Sequence, residues 1–185
     1  MANQVTTDTC YNYLNLTSYN SQGHGAGRFE YIQYLCKSFD FVFVQEHWLF
    51  DNQCDMFENK LSGIKAHSVS SMDENNFYQG RPFGGCAIIW NESLNINVTP
   101  ILTNCNKLCV VSVMYNNVKF LLCNVYMPCN DNNSLSEYEN VLCNLSLLFI
   151  EHQYDHIILG GDFNIDFSKH ITSNHAALTR FLSNE

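Results

Sequence analysis

Hydrophobic and polar positions along the chain repeat with two different periods, and the switches between them mark the elements. Leu14, Leu16 and Tyr19-Asn20 read as a short strand ending in a polar turn, Ser21 to Gly27. Phe29, Ile32, Leu35 and Cys36 then recur at helical spacing and predict a helix over about 28–38. Phe41-Val42-Phe43-Val44 is a continuous aromatic and β-branched run, the pattern of a strand buried on both faces. Cys54, Phe57 and Leu61 mark a second helix, and Ile64–Ser70 a further strand. Met72–Phe83 is polar and rich in turn formers and reads as a loop.

Four strand-like runs follow: Cys86–Trp90, Leu94–Leu102 with alternating Leu94, Ile96 and Val98, Leu108–Tyr115 and Val118–Tyr126. Asn116-Asn117 between the last two is a two-residue hairpin signal, because Asn tolerates positive φ. After a loop over Pro128–Asn133, Ser134-x-x-Glu137 forms a capping box. Leu135, Tyr138, Val141, Leu142, Leu145, Leu148 and Phe149 make one apolar helical stripe behind it. His156–Leu159 is a strand leading into Gly160-Gly161-Asp162-Phe163-Asn164, and a last helix covers about 174–183. No repeat, low-complexity segment or linker interrupts the series. Strands buried on two faces, interleaved helices and a central run of hairpins point to α/β layers built on a mixed sheet pair.

Composition narrows the class. A length of 185 residues suits one domain. With 46% hydrophobic and 14% aromatic residues the chain has the side chains for a packed core, which excludes disorder over most of its length. No apolar run approaches the roughly 20 residues of a membrane-spanning helix. The Met1-Ala2-Asn3-Gln4 start has neither a basic nor an apolar region, so the sequence reads as intracellular, nuclear or cytoplasmic, and not secreted. Nine cysteines, with no C-x-x-C and several inside apolar runs (Cys86, Cys123, Cys143), read as buried reduced thiols. A formal charge of −9 should repel phosphate backbones at long range, so composition alone argues against a nucleic-acid binder.

Several apolar strands end in residues able to do chemistry. Tyr19 leads to Asn20, Phe41–Val44 to Gln45-Glu46, Leu121–Val125 to Tyr126, and Ile157–Leu159 through two glycines to Asp162 and Asn164. In layered α/β folds ligands sit beyond strand ends, so these residues are expected to meet at one rim. Each has a plainer reading. Glu46 alone is a surface acid, Asp162 a turn cap, Asn20 one Asn among many, and Tyr126 a core ring with its hydroxyl at the surface. Their joint order changes the odds.

At these residues the sequence resembles the endonuclease/exonuclease/phosphatase superfamily, and within it the apurinic-type endonuclease domain of LINE-like, non-LTR retrotransposons. The matching pieces are Tyr19-Asn20-Ser21-Gln22-Gly23, Val44-Gln45-Glu46-His47-Trp48-Leu49, Gly84-Gly85-Cys86-Ala87, Asn124-Val125-Tyr126-Met127-Pro128 and Gly160-Gly161-Asp162-Phe163-Asn164-Ile165-Asp166. The resemblance implies a four-layer α/β sandwich with two packed mixed sheets, and Mg²⁺-dependent phosphodiester hydrolysis that nicks DNA, with Mn²⁺ as the alternative ion. In that scheme Glu46 is the metal ligand with Asn20 beside it. Asp162 orients or deprotonates the attacking water. Asn164 holds that water or a phosphate oxygen, and Tyr126 donates a hydrogen bond to the phosphate, so that Asn20, Tyr126 and Asn164 also form the substrate-binding set. Gly84 and Gly85 allow close backbone packing. The carboxylates answer the charge objection in part, since a bound metal inverts the local sign. Arg28, Arg81 and Lys169 could then reach DNA locally, and a linked reverse transcriptase region in a longer parent would supply further affinity.

The family pattern includes a later Ser-x-Ile-Asp segment and a final Ser-Asp-His, neither of which occurs here; His170 follows Lys169 and His175 follows Asn174. The expectation is therefore one domain over 1–185, truncated at its C-terminal end and impaired in catalysis. Two alternatives stand beside it: a non-catalytic remnant or binding module of the same fold, and a phosphatase or phospholipase of the same superfamily. His47 and His24 either face the site or pack at its rim. Cys105-x3-Cys109 and His152-x3-His156 are too far apart for a zinc finger.

Overall fold

Two βαβ units account for the architecture. In the computed structural model, which describes residues 13–75, 80, 82–129, 134–169 and 171–184, β1 (Leu16–Asn20), α1 (Ala26–Cys36) and β2 (Phe41–Gln45) form the first. The chain continues through α2 (Met56–Lys60), β3 (Ile64–Val69), β4 (Cys86–Asn91), β5 (Asn97–Ile101) and β6 (Leu108–Tyr115). Then β7 (Val118–Tyr126), α3 (Ser134–Glu151) and β8 (His156–Asp162) make the second unit, and α4 (Ser173–Asn184) follows. One sheet has the order β1-β2-β4-β3 and the other β5-β6-β7-β8. In each, the βαβ pair is parallel and the other neighbours antiparallel, so both sheets are mixed.

Period-two alternation sorts the strand residues between layers. On β2, Val42 and Val44 face α1 and α2, whereas Phe41 and Phe43 enter the space between the sheets. On β7, Leu121, Cys123 and Val125 pack under α3 and α4, while Leu122 points to the other sheet. Helix, sheet, sheet and helix thus stack into a four-layer α/β sandwich with three apolar seams. Burial on both faces is why β2, β4 and β7 read as continuous apolar runs.

The Asn116-Asn117 hairpin forms as expected, with φ of 50° and 63°. Three expectations need correction. The run from Leu94 is not strand at its start: Glu92–Leu94 is a short 3₁₀ turn capped by the Asn91 side chain, and Asn95 is left-handed at φ 48°. The strand from His156 does not stop at Leu159 but continues through both glycines to Asp162. Cys143 is exposed on α3, where the helical period turns it away from the apolar stripe. The other cysteines of the inter-strand runs, Cys86, Cys109 and Cys123, are buried free thiols, and burial raises Cys123 to about 12. The Ser134 hydroxyl accepts from Asn174 Nδ2 at 3.0 Å, which joins α3 to α4.

Candidate active site

A right-handed βαβ crossover puts the C-terminal ends of its two strands at the same edge. The register aligns Asn20 with Gln45 and Tyr126 with Asp162. Because the sheets stack with these ends together, one rim receives side chains from β1, β2, β7 and β8.

The expected residues meet there. Asn20 Nδ2 donates to Glu46 Oε1 and to Asp162 Oδ2, both at 2.8 Å. The Asn20 carbonyl oxygen faces the other way and accepts Gln22 N–H at 3.1 Å. Asp162 Oδ1 accepts the backbone N–H of Asn164 at 3.0 Å, and Asn164 Nδ2 donates to Met127 O at 2.7 Å. The loop after β8 is therefore tied to the loop after β7, and the Tyr138 hydroxyl on α3 fastens it further at Phe163 O, 3.1 Å away. Burial, the charges of Glu46 and Asp162, and a hydrogen bond with Glu46 push the Tyr126 phenol well up. It is thus a proton donor across the neutral range.

Glu46 reaches the rim through an unusual backbone. Glu46 and Trp48 both have positive φ, 55° and 57°, with buried His47 between them. Ser21 N–H and Gly23 N–H donate to Gln45 O and Glu46 O at 2.8 and 2.7 Å, and Trp48 N–H donates to Gly84 O at 3.0 Å. His47 is a packing residue. Its Nδ1 accepts Leu49 N–H at 3.0 Å and its Nε2 lies 3.2 Å from Val69 O. Desolvation lowers its pKa to about 4, so the ring is neutral. His24 Nδ1 lies 3.3 Å from His47 O.

Three further residues shape the site without having been given a role from the sequence, although Asn124 and Trp48 stand within its matching motifs. Buried Asn124 on β7 accepts from Gln45 Nε2 at 2.6 Å and donates to Val44 O and Ala87 O at 2.9 and 2.8 Å, clamping the two sheets directly beneath the carboxylates. A polar residue inside the apolar run 121–125 was the available signal. The Lys107 ammonium lies 5.5 Å from the Tyr126 ring centroid and 3.2 Å from Glu137 Oε1. Trp48 Nε1 donates to Glu46 Oε2 at 3.2 Å. Of the cations expected near DNA, Arg28 reaches Gln22 O and Lys169 pairs with Asp166 at 3.0 Å, while Arg81 lies outside the described residues, as does His170. Asp166 stays out of the cluster. It is exposed, and its bonds to Ser168 and Lys169 lower it to about 2.

Glu46 and Asp162 offer hard oxygen donors at the depth where the two sheets open, a set that suits Mg²⁺ or Mn²⁺ rather than a soft metal. Among the described residues no group of three or more His, Cys, Asp or Glu converges. An ion there would keep much of its coordination as water or substrate oxygen. No helix among the described residues is long and apolar enough to cross a membrane.

No family model and no curated protein matches the sequence. Solved structures do match in fold. The endonuclease domain of TRAS1, a telomere-specific non-LTR retrotransposon, superposes with a TM-score of 0.66 at 15% identity, over 92% of this chain and 71% of that one. An AP endonuclease from Archaeoglobus fulgidus gives 0.66 at 12% identity, over 93% and 71%. A mannosyl-6-phosphatase from Bacteroides thetaiotaomicron gives 0.59 at 16%, over 93% and 71%. The chain is similar in fold to several endonuclease/exonuclease/phosphatase proteins, with no single close match among them.

Proposed function

We propose that this chain carries a phosphodiester-hydrolase site of the retroelement-endonuclease kind, and that its described residues bind a divalent ion and a phosphate more effectively than they turn a substrate over. The observation that carries this reading is the Asn20 amide bridging Glu46 and Asp162 at 2.8 Å from strands of different sheets. Glu46 would hold the ion, with Asp162 as the base that orients or deprotonates water. Asn164 keeps its carboxamide oxygen for that water, since its nitrogen is engaged by Met127. Tyr126, neutral and rigid, donates to phosphate oxygen as charge builds. Mg²⁺, when bound, supplies charge neutralisation at the phosphate.

The binding-module reading has the better specific support. Two carboxylates, two carboxamides and the Tyr126 phenol provide ion and phosphate contacts, but no third carboxylate, thiol or imidazole joins them among the described residues. General-acid assistance to the leaving group by an imidazole is then missing from this set. DNA is the favoured partner, because a 3′ phosphatase of this fold from Neisseria was solved bound to a product DNA hairpin and has a TM-score of 0.64. A linked reverse transcriptase region in a parent protein belongs to the same proposal. The phosphatase alternative is supported by that 3′ phosphatase and by the mannosyl-6-phosphatase.

The test is a supercoiled-plasmid nicking assay beside Mg²⁺ titration calorimetry on the purified chain. Mg²⁺ binding lost in Glu46→Gln, with trace nicking, is the expected result. Efficient nicking abolished by Asp162→Asn would restore full hydrolase status. Absence of any Mg²⁺ binding would overturn both forms of the proposal.

A further inference from the structure

We infer that Trp48 is a positioning residue for the Glu46 carboxylate, setting the rotamer in which Glu46 receives a divalent ion; the inference rests on the metal-site reading above. Two residues apart in a chain rarely face each other, but here both Glu46 and Trp48 are left-handed, at φ 55° and 57°. That geometry folds the indole back over the carboxylate, and Nε1–H donates to Oε2 at 3.2 Å. The indole itself has little freedom. Its backbone N–H is bound by Gly84 O at 3.0 Å. Its six-membered ring lies flat against Gly23, where an added Cβ would stand only 2.8 Å from Cε3.

The other carboxylate oxygen is held independently, Oε1 accepting from Asn20 Nδ2 at 2.8 Å. One donor comes from β1 and the other from the loop after β2, so the plane of the carboxylate is fixed at both ends. A carboxylate accepts on four lone pairs in all, so these two N–H groups and the Tyr126 hydroxyl together leave one free for a cation. The indole cannot itself ligate or titrate. Its N–H stiffens the acceptor without competing for the ion, which is how a supporting donor raises affinity through pre-organisation.

The experiment uses the full chain and follows the tryptophan indole N–H signals by ¹H–¹⁵N NMR. The chain has two tryptophans, and Trp90 lies on β4 against Phe41, which makes it an internal control. In metal-free protein, Glu46→Gln should move the Trp48 indole proton upfield while Trp90 stays fixed. Adding MgCl₂ to the wild type should shift the Trp48 signal alone. Trp48→Phe keeps a ring on Gly23 and removes only the donor. It should weaken Mg²⁺ binding roughly tenfold by calorimetry, the worth of one hydrogen bond to a charged group, without lowering the unfolding midpoint. Trp48→His, which restores an N–H, should recover part of the affinity. An indole signal indifferent to Glu46→Gln, or a Trp48→Phe chain that binds Mg²⁺ as tightly as wild type, overturns the inference and leaves the metal site standing. A wild type whose Trp48 signal responds to Glu46→Gln but which binds no Mg²⁺ overturns the metal-site reading, and the positioning role falls with it.

Discussion

Asn20 and Asp162, 142 positions apart, share a hydrogen bond of 2.8 Å, and the same Asn20 nitrogen holds Glu46. One neutral amide therefore separates two carboxylates that no described cation neutralises by an ion pair. Replacing the amide by a third carboxylate, Asn20→Asp, removes both donors and adds like-charge repulsion. The metal-free variant should lose about 1–3 kcal/mol of stability, and MgCl₂ should return a larger share of it than any gain seen in wild type. Urea unfolding with and without MgCl₂ measures both effects. A variant as stable as wild type without metal would show that the amide bridge carries no weight.

How far the site was legible in the sequence depends on the kind of signal each residue leaves. β6 and β7 were readable to the residue, because two faces of burial and an Asn-Asn turn leave a local trace. Glu46, Asp162, Tyr126, Asn164 and Asn20 were readable as polar residues at apolar strand ends, and the βαβ topology explains why they converge. The extension of β8 through Gly160 and Gly161 was not. Locally two glycines spell a turn, and only the neighbouring strand makes them strand. Gly160 sits under the Phe43 ring, and Gly161, at φ 129°, lies against β7. Leu94-x-Ile96-x-Val98 misled in the opposite sense, since side-chain alternation says nothing of the Asn91 cap and the left-handed Asn95 that interrupt it. Trp48 and Lys107 act through geometry that no spacing rule encodes.

Gly161 should tolerate no side chain. A Cβ there would strike the Val125 carbonyl oxygen and stand 2.9 Å from Asn124 Oδ1. The positive φ adds strain of its own. Gly161→Ala is expected to cost more than Gly160→Ala, whose Cβ would meet the Phe43 side chain at 2.9 Å rather than backbone. Comparison of the two unfolding midpoints checks the ranking, and equal losses would contradict it.

The Asn124 clamp predicts a large loss from a small change. Asn124→Ala leaves Val44 O and Ala87 O without this donor and Gln45 Nε2 without its 2.6 Å acceptor, all in the buried inter-sheet layer. A cost of about 3–5 kcal/mol is expected, because unsatisfied buried groups retain their desolvation penalty. Gln45→Met, which removes the Gln45 bonds to Asn124 and Ser18 but leaves both carbonyls satisfied by Asn124, should cost less. Chemical denaturation of the two variants separates them.

Buried His47 makes the fold sensitive to mild acid. Its ring faces Leu49 N–H, Val69 O, the edge of Phe57 and Gly85, with His24 the neighbouring titratable group, and none of these supplies a negative charge. The folded pKa is about 4, against about 6.5 for an unfolded histidine. Between those values the unfolded chain binds the extra proton, so stability is complete above the upper value and falls as pH drops toward the lower one. His67, also lowered by burial, contributes with the same sign. The loss attributable to His47 is on the order of 3 kcal/mol across the window. Urea unfolding measured stepwise through this range should show the decline, and the His47 Cε1–H resonance should stay at its neutral position until the pH approaches 4. A His47 signal that titrates near the ordinary histidine value of about 6.5 would mean the ring is open to water and the loop carrying Glu46 is not anchored as described.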